Sequence, residues 1–343
     1  MVEFRAFIFG HRMAYMPVSP TPAQIIKSID DSCNAVARYR KRDVLILFYP
    51  TGARVTEWDI RDTYGQLRSA ATRENPIPAL DLLLHTNGGD PVAGYRIAQV
   101  IRSLCKKLDV LVPEKAYSAG TLMSFAGDTI RLGDYAGLSP IDITVSYEGS
   151  PQSEDVQLAA IDSFLEFANR ARKKIEKMLM DVGRDGTESC VDSDLLVQMV
   201  REVGALRVGR FYRERTVTGQ YAEILLDQFM FQKVSDGTDR RNGVINHFLF
   251  LAPAHEFHLD FQLCSSWHLD VKEMSTTESD LTKQVVNLLR VATSNGIICH
   301  RLNNDVRMPF IRLYKYQPLR GGRRGNQSKK GRTRNAQNSS KNV

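Results

Sequence analysis

The sequence predicts an α/β protein, with a mostly parallel sheet of repeated ββα and βαβ units and a helical C-terminal half. Three observations predict it. Nearly continuous apolar runs of strand length, DVLILFYP (43–50), LDLLLH (80–85) and LDVLVP (108–113), suit parallel strands covered on both faces. Segments with apolar residues at helical spacing separate them. After Gly149 helical patterns dominate.

In chain order, residues 1–20 read as an irregular arm. TPAQIIKSIDDSCNAVARYR (21–40) spaces Ile25, Ile26, Ile29, Cys33, Val36 and Ala37 as a helix does, and Thr21-Pro22 is a start signal. The strand at 43–50 precedes a helical segment at 55–70 with an acidic first turn. The strand at 80–85 ends in the turn cluster TNGGDP, followed by an amphipathic helix at 92–107. The third strand leads to a small-residue helix, SAGTLMSFAG (118–127), and to a short fourth strand, DTIRLG (128–133). Strand and helix alternating at this rhythm imply right-handed βαβ units. Further helices are expected at 156–180, 193–203, 221–231, 243–251 and 278–293, a loop at 182–189 and a strand at 307–316. The expected organisation is an arm and helix (1–42), a main domain (43–275), a helix and strand extension (276–318) and a basic tail (319–343).

Composition narrows the function classes. Hydrophobic residues make up 43% and charged residues 25%, enough for a sizeable core. No stretch approaches the roughly 20 apolar residues that cross a bilayer, and the N-terminal sequence lacks the order of regions of a secretory leader, so a cytoplasmic protein is expected. Five widely spaced cysteines without a CxxC pair read as free thiols, not as a disulfide framework or zinc site. Eight Lys and Arg lie from Arg320 onward with no Asp or Glu, so the net charge of +7 becomes −1 for the rest. The body is therefore not a nucleic-acid-binding domain by charge. The tail is expected to be disordered and offers a weak contact to nucleic acid at 320–341, or simply adds solubility.

Two turns follow consecutive strands, where open α/β sheets bind ligands. Gly88 and Gly89 in the first let backbone N–H groups approach a ligand closely. Ser118 stands in the second, where a strand-end loop becomes a helix, and the N–H of Ala119 follows it. A nucleophilic oxygen beside backbone donors is what acyl transfer requires. On residue types alone, a serine at a helix start is more often an N-cap.

LLLHTNGGDPVAGYRIAQVIR and VLVPEKAYSAGTLMSFAGDTIRLGDYAGLSPID resemble the serine dehydrogenase proteinase family, of the Clp protease/crotonase group and related to signal peptide peptidase A. His85–Gly89 and Val112–Asp142 follow the family pattern. A third, weaker match runs from His255-Glu256-Phe257-His258-Leu259-Asp260 through Cys264 to Val271. Departures are Ser139 where the family has Gly in LGPID, Glu256 in its HD pair and His268 in its GL. The resemblance implies a Clp protease/crotonase-like fold, a homo-oligomer and a serine peptidase acting on peptide or protein substrates. Ser118 would be its nucleophile, with Gly88, Gly89 and Ala119 forming the oxyanion hole.

The proton acceptor stays open. The position of the Clp protease histidine falls around Asp142-Ile143, where no His occurs. Either His255 is the base, oriented by Asp142 or Glu256, or a lysine of the next helix (Lys173, Lys174 or Lys177) serves, as in signal peptide peptidases. The HEFH stretch spaces its histidines by three, not four, so no metal and no cofactor is expected. Two other readings are a crotonase-like enzyme acting on coenzyme A thioesters, and an inactive binding protein of the same fold tethered by its tail.

Overall fold

Helix α1 (Pro22–Arg40) starts where Thr21 closes a capping box. The Gln24 N–H donates to Thr21 Oγ1 (3.3 Å) and the Thr21 N–H donates to Gln24 Oε1 (2.8 Å), satisfying two otherwise orphaned donors. The structure is a computed structural model that describes residues 20–141, 205–252, 257–298, 301–302 and 306–318. The helices expected at 156–180 and 193–203, the loop at 182–189, the N-terminal arm and the basic tail lie outside the described residues.

After α1 the described elements are β1 (Asp43–Phe48), α2 (Trp58–Arg68), β2 (Leu80–His85), α3 (Pro91–Ser103), β3 (Leu108–Val112), β4 (Lys115–Ala116), α4 (Ala119–Ser124), β5 (Thr129–Leu132) and β6 (Gly137–Leu138). Beyond the undescribed segment come α5 (Ala205–Leu225), α6 (Gly237–Asn246), α7 (Phe261–Ser266), β7 (Val271–Glu273), α8 (Thr276–Ser294), β8 (Arg301–Leu302), β9 (Val306–Arg307) and β10 (Phe310–Tyr314).

Six of these strands form one sheet in the order β10-β1-β2-β3-β5-β7. The five central and right-hand strands run parallel, and β10 closes the other edge antiparallel to β1. Every residue of β2 is buried, as is all of β1 after Asp43, which is why these strands read as nearly continuous apolar runs. Alternation sorts the side chains. Leu45, Leu47, Leu82 and Leu84 join the core of α2, α3 and α4, while Val44, Ile46, Phe48 and Leu83 join that of α1 and α8. The fold is thus mixed α/β with a mainly parallel central sheet.

Two expected helices change pitch at their ends. After α5, Leu226–Met230 forms a π-turn, and after α6, His247–Leu251 forms another. The Phe231 N–H reaches Leu226 O (2.8 Å) and the Ala252 N–H reaches His247 O (3.1 Å), five residues back in both cases. Among the described residues no helix is long and apolar enough to cross a membrane.

Candidate active site

The parallel ladder between β2 and the β3–α4 connection sets two turns side by side. The Thr86 N–H donates to Lys115 O (3.1 Å) and the Tyr117 N–H donates to Thr86 O (3.1 Å). Residues 87–89 therefore leave β2 next to the segment that delivers Ser118. Gly88 has φ 103° and Gly89 φ 153°, where a side chain is strained. A Cβ on Gly88 would lie 2.7 Å from Ser118 Cβ, 2.9 Å from Tyr117 O and 3.3 Å from Ser118 Oγ. Gly89 is pinned from the other side. The Val55 N–H donates to Gly88 O and the Asp90 N–H donates to Val55 O, both at 2.9 Å, and a Cβ on Gly89 would overlap the Val55 backbone. Asp90 then caps α3 by accepting the Val92 N–H (2.9 Å).

Ser118 does not act as a capping side chain. It has φ 51° and ψ −114° and makes no side-chain cap bond. No group among the described residues pairs with its Oγ. A non-glycine residue in this backbone region stores about 1–3 kcal/mol and persists only where its surroundings over-determine it. The surroundings do so here. The Ser118 N–H donates to Ser139 Oγ (2.8 Å) and the Gly120 N–H donates to Tyr117 O (2.8 Å). Thr121 Oγ1 lies within hydrogen-bond distance of Ala116 O (2.8 Å) and Ser139 O (2.9 Å), which share its one proton. Parallel pairing of β4 with β6 brings Ser139 there.

The same bonds sort the backbone donors. The Gly88 N–H is taken by Thr86 Oγ1 (2.9 Å), and the Ser118 N–H by Ser139. The N–H groups of Gly89 and Ala119 meet no acceptor among the described residues. Ser118 itself is half-buried, so its hydroxyl is within reach of a ligand.

The third sequence segment also arrives at this place. Leu138 and Leu259 exchange two backbone hydrogen bonds (2.9 and 3.0 Å), which lays His258 over Gly137. Its Nδ1 is 3.0 Å from the hydroxyl of Tyr117, the residue before Ser118. Burial pushes the Tyr117 phenol above its ordinary pKa. His85, by contrast, faces away, stacked on Phe48 with ring centroids 5.2 Å apart. Burial, then the charges of Lys115 and Arg290, push its pKa down to about 3. Its 3.7 Å approach to Glu114 is therefore not an ion pair, and Glu114 pairs with Arg290 at 2.5 Å instead.

Of the residues the sequence singled out, the structure brings Gly88, Gly89, Ser118 and Ala119 together. His255, Glu256, Asp142, Lys173, Lys174 and Lys177 lie outside the described residues. Ser139, Thr121 and Tyr117 join Gly88, Gly89, Ser118 and Ala119, and no sequence motif gives these three a role. The substitution of Ser for Gly at position 139 was the one visible signal of the bond it makes.

Residues 24–186 match the model of the ClpP-like SDH-type serine proteinases. The matched stretch is just under half of the chain. Two curated relatives are uncharacterized proteins of Methanocaldococcus jannaschii. MJ0137 is 24% identical over 193 residues, covering 52% of this chain and 66% of its own. MJ1495 is 26% identical over 137 residues, covering 37% of this chain and 45% of its own. This chain thus spans less than two thirds of either relative. Among solved structures, the 1510-N membrane-bound stomatin-specific protease aligns at 19% identity with a TM-score of 0.25, covering 34% of this chain and 60% of that one. Within the matched residues fall both turns, the strained Ser118 and the β4–β6 pair that braces it.

Proposed function

We propose that this chain is a serine peptidase in which Ser118 attacks peptide carbonyls. One observation carries the reading: a half-buried serine in a strained backbone conformation, its hydroxyl unused by the helix it precedes, abuts a double-glycine turn. Strain of this kind is kept where a nucleophile must be held out from a sharp strand-to-helix turn.

The chemistry follows from the donors left free. Ser118 Oγ adds to the carbonyl carbon while its proton passes to a base, His255 or one of Lys173, Lys174 and Lys177. The carbonyl oxygen takes the negative charge and accepts hydrogen bonds from the N–H groups of Gly89 and Ala119. Collapse expels the amine, which recovers the proton, and water then hydrolyses the acyl-enzyme. Two preorganised donors suit this step, since losing one costs roughly 10²–10³ in turnover. With His255 as base, Asp142 or Glu256 would orient it. A homo-oligomer, a cytoplasmic setting and unfolded or peptide-like substrates are parts of the same proposal.

A burst experiment with an activated ester tests it. Wild-type protein should release one equivalent of leaving group per Ser118 and then slow to steady turnover, and Ser118→Ala should show no burst. An equal burst in both proteins would remove Ser118 from the mechanism.

A further inference from the structure

We infer that Ser139 is a positioning residue for Ser118, and that its hydroxyl decides which backbone N–H groups at the turn remain free. The inference rests on the reading of Ser118 as nucleophile and names a residue that reading does not use.

Ser139 is 1% exposed, so its polar atoms must find partners inside the protein. They find them in the Ser118 turn. Its Oγ accepts the Ser118 N–H (2.8 Å) and donates to Pro140 O (3.0 Å). Its own N–H donates to Thr121 Oγ1 (3.1 Å), and its carbonyl accepts from the same oxygen (2.9 Å). Thr121 is fully buried and also holds Ala116 O (2.8 Å). Ser139 therefore touches the turn directly at Ser118 and, through Thr121, on both its flanks.

Two consequences follow. The bond fixes the peptide plane that enters Ser118, which sits at φ 51°. Without the oxygen, that N–H becomes an unpaired donor and the strained conformation loses its most direct restraint. The bond also occupies the Ser118 N–H, so the Ala119 N–H is the free donor on this turn. Thr86 Oγ1 does the same for Gly88, leaving Gly89. At each turn one hydroxyl, from Thr86 or from Ser139, takes one amide and leaves its neighbour available.

The test uses the full chain with Ser139→Ala, Ser139→Gly and Ser139→Cys. Three quantities are measured: the rate of fluorophosphonate labelling at Ser118, the hydrogen-exchange rate of the Ser118 amide, and the thermal midpoint. Ala and Gly both lack the oxygen but differ in backbone entropy, so their midpoints differ. Positioning predicts that both label slower than wild type by about tenfold or more and by the same factor. It also predicts faster exchange of the Ser118 amide in both, with Cys, a weak acceptor of the same shape, falling between. The inference is overturned if Ala and Gly label within about twofold of wild type, or if labelling simply follows the thermal midpoint across the three variants. Either of the Ala and Gly variants decides the first point if the other fails to fold. Absence of a Ser118 adduct in wild-type protein would remove the nucleophile reading and this inference together. An adduct in wild type with unchanged variants would remove this inference alone.

Discussion

Gly88 lies directly against Ser118, with room for no carbon between them: a methyl group on Gly88 would sit 2.7 Å from Ser118 Cβ. The contact is what joins the two strand-end turns into one site. Gly88→Ala must push Ser118 and Tyr117 O away and must adopt φ 103° with a side chain. Labelling of Ser118 should fall on the order of 100-fold, the cost of displacing a reacting group by about 1 Å. Urea unfolding should show a loss of about 1–2 kcal/mol from the backbone conformation alone. Labelling at the wild-type rate would show that the turn tolerates displacement.

Tyr117 and His258 are coupled through a hydrogen bond at 3.0 Å, and His258 is exposed. A double-mutant cycle of Tyr117→Phe and His258→Ala should give a coupling of about 1 kcal/mol or less. Gly137→Ala places a methyl group in the imidazole's space, so the ring must move. In that background the coupling should vanish. Full coupling there would mean that the contact does not depend on the seat Gly137 provides.

His85 gives a pH signature. Its pKa falls to about 3 in the folded chain from an ordinary value of 6.5, chiefly by burial. Between those values the unfolded chain binds the extra proton, so stability rises with pH there and levels off above 6.5. Its share of the slope approaches about 1.4 kcal/mol per pH unit. His85→Gln should flatten the slope of unfolding free energy against pH in that window, as measured by urea titrations at several pH values. An unchanged slope would assign the acid sensitivity to other groups.

Asp81, wholly buried on β2, anchors α1 to the sheet. Arg40 Nε is 2.7 Å from Asp81 Oδ2, a second Arg40 nitrogen is 2.6 Å from Asp109 Oδ2, and Arg42 reaches Asp81 Oδ1 at 3.1 Å. Asp81→Ala leaves the nearly buried Arg40 charge under-compensated. Chemical denaturation should show a loss of about 3–5 kcal/mol. A loss under about 1 kcal/mol would place this cluster with weak surface pairs.

The parts of the fold that were legible in the sequence are those where one physical demand acts over many residues. Strands β1, β2 and β3 are buried on both faces, so their apolar runs are nearly continuous, interrupted only by Asp81 and Asp109. Helices α1, α3 and α8 bury one face, so their spacing shows. Strands β4 and β6 have two residues each and β7 has three, too short for any period, yet β4 and β6 carry Ser139 to Ser118. The two glycines and Ser118 were legible as a candidate site, on consecutive strand-end turns, because turn chemistry is local. The Ser139 bond joins residues 21 positions apart through a hydroxyl, and no local pattern marks it. The π-turns at 226–230 and 247–251 do not show in the sequence because each is five residues at a helix end, with no helix continuing after it to reveal a shifted apolar stripe.

The claim that Ser118 is the reactive oxygen is tested most directly by peptide mapping after treatment with a fluorophosphonate. A nucleophilic Ser118 gives a covalent phosphonyl adduct on the peptide that contains it, absent in Ser118→Ala. An adduct on another residue, or one that survives that substitution, would contradict it.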